Sequence, residues 1–197
     1  MKSVEVVCRG ITALLIHRFG EAAETSGKTS KIMVSNYDPR EEATKAAYIN
    51  PADKTFYLSA ASIPGTMAGA GASHKMKGSR KSMRFVVPSA VLMMSDTITI
   101  LDHNLKPHVD FEIDSRPVTI PATKGRVMRH RPRWNKWKIK FVFQIDDTLM
   151  SLDSAQQLLT EAGQSIGIGD FRPAKFGPFG RFLVESWKIL EDKTLIE

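Results

Sequence analysis

Six short apolar runs, ordered so that two helix signals each fall between strand signals, constrain this 197-residue chain more than any other feature. Val4 to Cys8 reads as a buried strand, and Ala13 to Ile16 continues its apolar character. Ser62-Ile63-Pro64 opens a helix of small residues extending to Lys75. Gly65, Gly69 and Gly71 each weaken that helix by about 1 kcal/mol relative to alanine. Something must therefore approach it closely, or it is short and irregular. Arg84 to Met94 reads as a buried strand. In the next run Ile139, Phe141, Phe143 and Ile145 alternate with Lys138, Lys140, Val142 and Gln144. Asp153 reads as the cap of a helix carrying Leu158, Leu159 and Ala162, with Gly163 as its stop. Arg181 to Leu190 is the last strand.

The order β-α-β-β-α-β predicts an α+β chain with a ferredoxin-like (RRM-like) core. The remaining segments are elaborations. Gly20 to Ser35 reads as an exposed loop, and Asp38 caps a short helix from Pro39 to Tyr48. Phe56 to Leu58 is a short strand and DTITILD an alternating one. Val109 to Ile113 and Pro117 to Ile120 read as two strands around a turn at Asp114-Ser115. We expect a single domain over 1–197, with 20–58 a peripheral insertion and 95–137 an inserted, thumb-like hairpin.

Charge is distributed unevenly. Between Ser115 and Ile145 stand nine basic residues and no carboxylate: Arg116, Lys124, Arg126, Arg129, Arg131, Arg133, Lys136, Lys138 and Lys140. The chain as a whole is +7, and without these nine its 19 remaining cations face 21 acids. The whole excess therefore lies in one stretch, where Trp134 and Trp137 stand among the cations. Lys and Arg neutralise phosphates, and Trp faces stack on unpaired bases. A solvated hairpin kept for solubility is the plainer account, but such surfaces usually mix both signs.

The run from Gly167 to Phe182 (GIGDFRPAKFGPFGRF) holds four glycines and three cations, namely Gly167, Gly169, Gly177 and Gly180 with Arg172, Lys175 and Arg181. Backbone N–H groups brought close by glycine, beside basic side chains, suit a sugar–phosphate backbone. Tight-turn geometry is the alternative. No strand enters Gly167 and no helix follows Gly180, so nucleotide-cofactor motifs are excluded. Asp170 within the loop is expected to pair with Arg172 or Arg181. A second patch, His74, Lys75, Lys77, Arg80, Lys81 and Arg84, has no acid between Asp53 and Asp96. It either extends a binding track or simply complements a helix C-terminus.

Five histidines and one cysteine, Cys8, offer no metal-ligand spacing, and we expect no metal and no cofactor. His17, just past the first strand, and His130 are the candidates for acid–base chemistry. No apolar run reaches the roughly 20 residues of a membrane span. With a single cysteine, this leads us to expect a soluble cytoplasmic protein.

The glycine-rich loop ending in Gly-Arg-Phe before a final strand, on this element order, resembles the RAMP superfamily of CRISPR-associated RNA-binding and RNA-processing subunits. Ile63-Pro64-Gly65-Thr66 is similar to that superfamily's Ile-Pro-Gly-Ser/Thr helix start, and IGDFRPAKFGPFGRF also resembles small bacteriophage and prophage proteins. The resemblance implies RNA near the glycine loop and near the helix start from Ile63 to Gly71, with Arg126 to Lys138 as the thumb. It also implies assembly of copies head-to-tail along a strand, within a larger ribonucleoprotein.

The expectation is a non-catalytic single-stranded nucleic-acid-binding protein, RNA favoured over DNA. Its contacts are Lys124, Arg126, Arg129, Arg131, Arg133, Lys136, Lys138, the glycine loop, and Lys75, Lys77, Arg80 and Lys81, with Trp134 or Trp137 stacking on a base. The alternatives are a metal-independent endoribonuclease using His17 or His130, and a phage-encoded interaction or mimic protein.

Overall fold

A computed structural model describes residues 1–18, 38–119 and 124–191. The expected exposed loop at 20–35, and Ile120 at the end of an expected strand, lie outside the described residues.

The chain is α+β, with antiparallel sheets. The main sheet is centred on β1 (Lys2–Gly10), flanked by β8 (Lys138–Ile145) and β9 (Phe182–Leu190), antiparallel to both. Val4, Val6 and Cys8 are fully buried while Glu5 and Val7 are not, which is the period-two pattern of a strand with one face in a core. Beyond β8 the sheet continues through β4 (Val91–Met93) and β5 (Thr97–Leu101), which meet opposite ends of β8, and then β3 (Tyr57–Ser59). Helices α2 (Ser62–Ala70) and α4 (Leu152–Ser165) contribute Ile63, Met67, Leu158, Leu159 and Ala162 to the core. A three-stranded sheet of β2 (Leu14–Leu15), β7 (Arg126–Trp134) and β6 (Glu112–Thr119) carries the basic stretch. Helix α1 (Pro39–Lys45) packs against β7, with Asp38 accepting from the Arg40 N–H at 2.8 Å as its cap.

Several elements differ from expectation for identifiable reasons. The stretch expected as one strand from Arg84 to Met94 is a 3-10 turn (Met83–Phe85), a short helix α3 (Val87–Ala90) and only then β4. Pro88, lacking an N–H and fixed at helical φ, starts a helix and cannot sit inside a central strand. Helix α2 ends at Ala70 because the backbone at Met83 and Arg84 crosses directly over Gly71, where a Cβ would lie 2.9 Å from the Arg84 nitrogen. Asp114-Ser115 is not a turn. Asp114 is buried inside a continuous β6, its carboxylate held by Arg116, and Pro117 is tolerated because β6 is a sheet edge.

Ser151, not Asp153, caps α4, accepting from the Ser154 N–H at 3.2 Å. Gly163 does not stop that helix. It lies within the last turns, where a Cβ would collide with Phe182 of β9.

Candidate nucleic-acid interface

The glycine loop is built against the chain leaving β1. Gly180 N–H donates to Ala13 O at 2.8 Å, Asp170 N–H to Leu15 O at 2.8 Å, and Ile168 N–H to Gly180 O at 2.9 Å. Gly169 and Gly180 have φ of +78° and +70°, and a Cβ there would strike the carbonyls of Leu15 and Ile168 respectively. These glycines thus serve close backbone packing first, and much of the loop's N–H capacity is spent internally. The loop then reaches α2, where the Thr66 hydroxyl donates to Gly167 O at 3.1 Å. That bond joins the two motifs the sequence singles out, Ile63-Pro64-Gly65-Thr66 and the glycine loop.

Between them opens a cleft of about 450 Å³, lined by His17, Tyr48, Ser62, Gly65, Gly169, Asp170 and Arg172 among others. No side chain caps the start of α2, and the buried Ser62 Oγ has no hydrogen-bond partner among the described residues. Gly65 is exposed, with open space where a side chain would be. The positive end of a nine-residue helix therefore faces the cleft beside a position without side-chain bulk, a geometry suited to close approach of an anion. Arg172 braces the loop through Nη1 to Gly169 O at 2.9 Å.

Asp170 pairs with neither Arg172 nor Arg181. Its Oδ2 lies 2.9 Å from Nε of the buried Arg131 on β7; the contact is close but off the hydrogen-bond direction. The exposed His17 side chain is held below its ordinary pKa chiefly by partial desolvation; Asp170 pulls it up, Arg131 and Arg129 push it down, and Glu42 pulls up. The shift favours the neutral imidazole.

The tryptophan expectation is corrected by burial. Trp134 and Trp137 are each 2 % exposed, their indole N–H groups donating to Asp110 O (3.0 Å) and Thr12 O (2.8 Å). Neither offers a face to a base. Phe176, on the glycine loop beside Lys175, is 99 % exposed with φ +58°. Sequence patterning gave no reason to separate it from the loop's other phenylalanines, since exposure depends on how the loop folds. His130 is also buried, with Nδ1 2.6 Å from Ser115 Oγ, and cannot reach a strand in solution.

The arm's charge is largely answered across the fold. Arg116 and Arg133 meet Asp114, Arg129 meets Glu42, Arg131 meets Asp170, Lys138 meets Glu185 and Lys140 meets Glu5. Among the described residues, Lys124, Arg126 and Lys136 of the arm, Lys175 and Arg181 of the loop, and Lys75, Lys77, Arg80 and Lys81 are exposed without a carboxylate partner. Arg116 and Arg133 also lie over the Phe179 ring, at 4.7 and 5.9 Å, tying the base of the arm to the glycine loop. No group of three or more metal-ligating side chains occurs among the described residues.

No family model matches the chain, and no curated protein does. Among solved structures it is similar to a chain of the Type III-B Cmr-beta assembly, determined by cryo-EM bound to cognate target RNA. The TM-score is 0.54 at 11 % identity, over 96 % of this chain and 61 % of that one. The likeness is one of fold, and this chain spans about three-fifths of its neighbour's length.

Proposed function

We propose that this chain is a RAMP-type protein with a ferredoxin-like core that binds single-stranded nucleic acid, RNA favoured, without cleaving it. The observation that carries the reading is the convergence of the Ile63-Pro64-Gly65-Thr66 helix start and the glycine loop on one cleft, joined by the Thr66–Gly167 bond. Two further features support it. The strand order β9-β1-β8-β4, with α2 and α4 as the crossing helices and β5 and β3 added at β8, supports a ferredoxin-like core. The fold neighbour belongs to an RNA-bound assembly. In this reading phosphates lie at the start of α2 and along Lys175 and Arg181, Lys124 and Arg126 add contacts from the arm, and Phe176 takes the stacking role. Copies assemble head-to-tail along the strand, within a ribonucleoprotein.

The test is the absorbance ratio at 260 and 280 nm across size exclusion of the untagged protein, with and without RNase and DNase. A large, high-ratio species that collapses under RNase is expected. A low-ratio monomer whose affinity for added RNA does not change with salt would sink the proposal, because phosphate contacts release counterions.

His17 favours a second reading, a metal-independent endoribonuclease. It lies in the cleft and its lowered pKa favours the neutral imidazole, the state a general base needs. This predicts RNA cleavage in EDTA that disappears in His17→Ala. RNA left intact by excess protein rules it out.

A further inference from the structure

The chain leaving α2 builds a second cationic surface whose charge no carboxylate among the described residues answers. Because Gly71 lets the backbone of Met83 and Arg84 cross it, residues 74–83 double back as a small hairpin. Lys75 bridges to Ser82, Met76 N–H donates to Lys81 O at 2.8 Å, and Met83 N–H to His74 O at 2.9 Å, with Gly78 turning at φ +73°. Lys75, Lys77, Arg80, Lys81 and Arg84 are all exposed, and none meets a carboxylate among the described residues. Glu161, which does reach the hairpin, contacts His74 at 2.7 Å. Asp147, across the adjoining cavity of about 400 Å³, lies 3.8 Å from the N-terminal ammonium.

Five like charges held on a backbone-ordered hairpin repel one another, and that repulsion is relieved by a polyanion. Phe85, next to Arg84, is 64 % exposed. Cations beside an open aromatic ring match a single-stranded nucleic acid better than an acidic protein surface, which offers nothing to stack.

We propose that residues 75–84 form a second phosphate-backbone contact, separate from the cleft, which only a longer strand reaches. The inference rests on the nucleic-acid reading above. The cleft opens at the start of α2 and the hairpin follows its end. Nine helical residues span about 14 Å, or about four phosphates at the roughly 3.4 Å spacing of stacked nucleotides. A ligand that merely fills the cleft ends short of the hairpin.

The experiment compares the unaltered protein with a Lys75→Gln, Lys77→Gln, Arg80→Gln, Lys81→Gln variant. Both are titrated with fluorescent oligouridylates of about four and about twelve nucleotides between about 50 and 200 mM salt. Each phosphate contact contributes about 0.7 to the slope of log affinity against log salt for single strands. The variant is expected to lose about 2–3 of that slope with the longer strand and to bind the shorter one unchanged.

An unchanged slope with the longer strand overturns the inference while leaving the functional reading intact. Equal losses for both lengths assign the hairpin to the cleft and overturn its separateness. Poly-glutamate competing for the hairpin as well as the longer strand does would make the surface a protein-docking site. If the unaltered protein binds neither strand, the functional reading falls and this inference with it.

Discussion

Trp137 offers a direct way to separate folding from binding in the basic stretch. Its ring lies under the end of β1, so close to Gly10 that no side chain fits there, and edge-on to Phe182 with centroids 6.4 Å apart. Its indole N–H is hydrogen-bonded to Thr12 O at 2.8 Å. Truncating a buried Trp to alanine costs about 3–5 kcal/mol, a large part of the roughly 5–15 kcal/mol that holds a domain folded. Trp137→Phe is the more informative variant. It keeps most of the apolar ring but strips the Thr12 carbonyl of its donor, at about 1–3 kcal/mol. With a urea dependence of about 2 kcal/mol per molar, the midpoint should fall by about 0.5–1.5 M. Urea unfolding followed by circular dichroism reads this shift, and anisotropy with labelled RNA reads affinity under native conditions. Affinity should stay unchanged. A midpoint within about 0.2 M of the unaltered protein, with affinity down about tenfold, would refute the assignment and restore Trp137 as a stacking residue.

Four further substitutions have defined expected outcomes. Gly65→Ala should raise stability by up to about 1 kcal/mol, because the site is helical with room for a Cβ, yet weaken RNA binding by placing a methyl group in the cleft; the two are read by urea midpoint and anisotropy. Phe176→Ala should leave the urea midpoint unchanged and lower affinity for single-stranded RNA by about 1–3 kcal/mol, as loss of one stacking face does. The folded pKa of His17 lies below the ordinary 6.5, so between the two values the unfolded chain binds more protons. Its contribution to stability is therefore complete above pH 6.5 and lost as pH falls through the folded value. His17→Gln should flatten that part of the pH profile of urea midpoints, and Asp170→Asn should move the His17 midpoint lower still by NMR titration, since Asp170 raises it.

Strand periodicity was the most legible feature of the chain. Val4, Val6 and Cys8, and Ile139, Phe141, Phe143 and Ile145, alternate as the sheet requires and lie on its buried face. The glycine-bearing helix was readable as one either closely approached or short, and it is both, ending at Ala70. Gly69 and Gly71 are such sites, against Ile166 and against the backbone of Met83 and Arg84. Less legible were the places where one residue type serves two purposes. Gly163 read as a helix stop yet provides room for Phe182, and the apolar run at 85–94 suited a strand until Pro88 divided it.

The candidate site divides the same way. Its two motifs were visible as residue patterns, but that they face one another across a cleft follows from the packing of α2 against the glycine loop.

By itself, then, the sequence determined the alternation of strands and helices, the glycine loop and the total charge, because these depend on residue type and spacing along the chain. Only the tertiary structure decided which charges remain free. Coulombic pairing acts over a few ångströms of space whatever the separation in sequence, and Arg131 meets Asp170, 39 positions away, just as Lys140 meets Glu5. The stretch with the highest positive charge along the chain is thereby largely neutralised, while the smaller hairpin at 75–84 keeps its cations exposed to solvent.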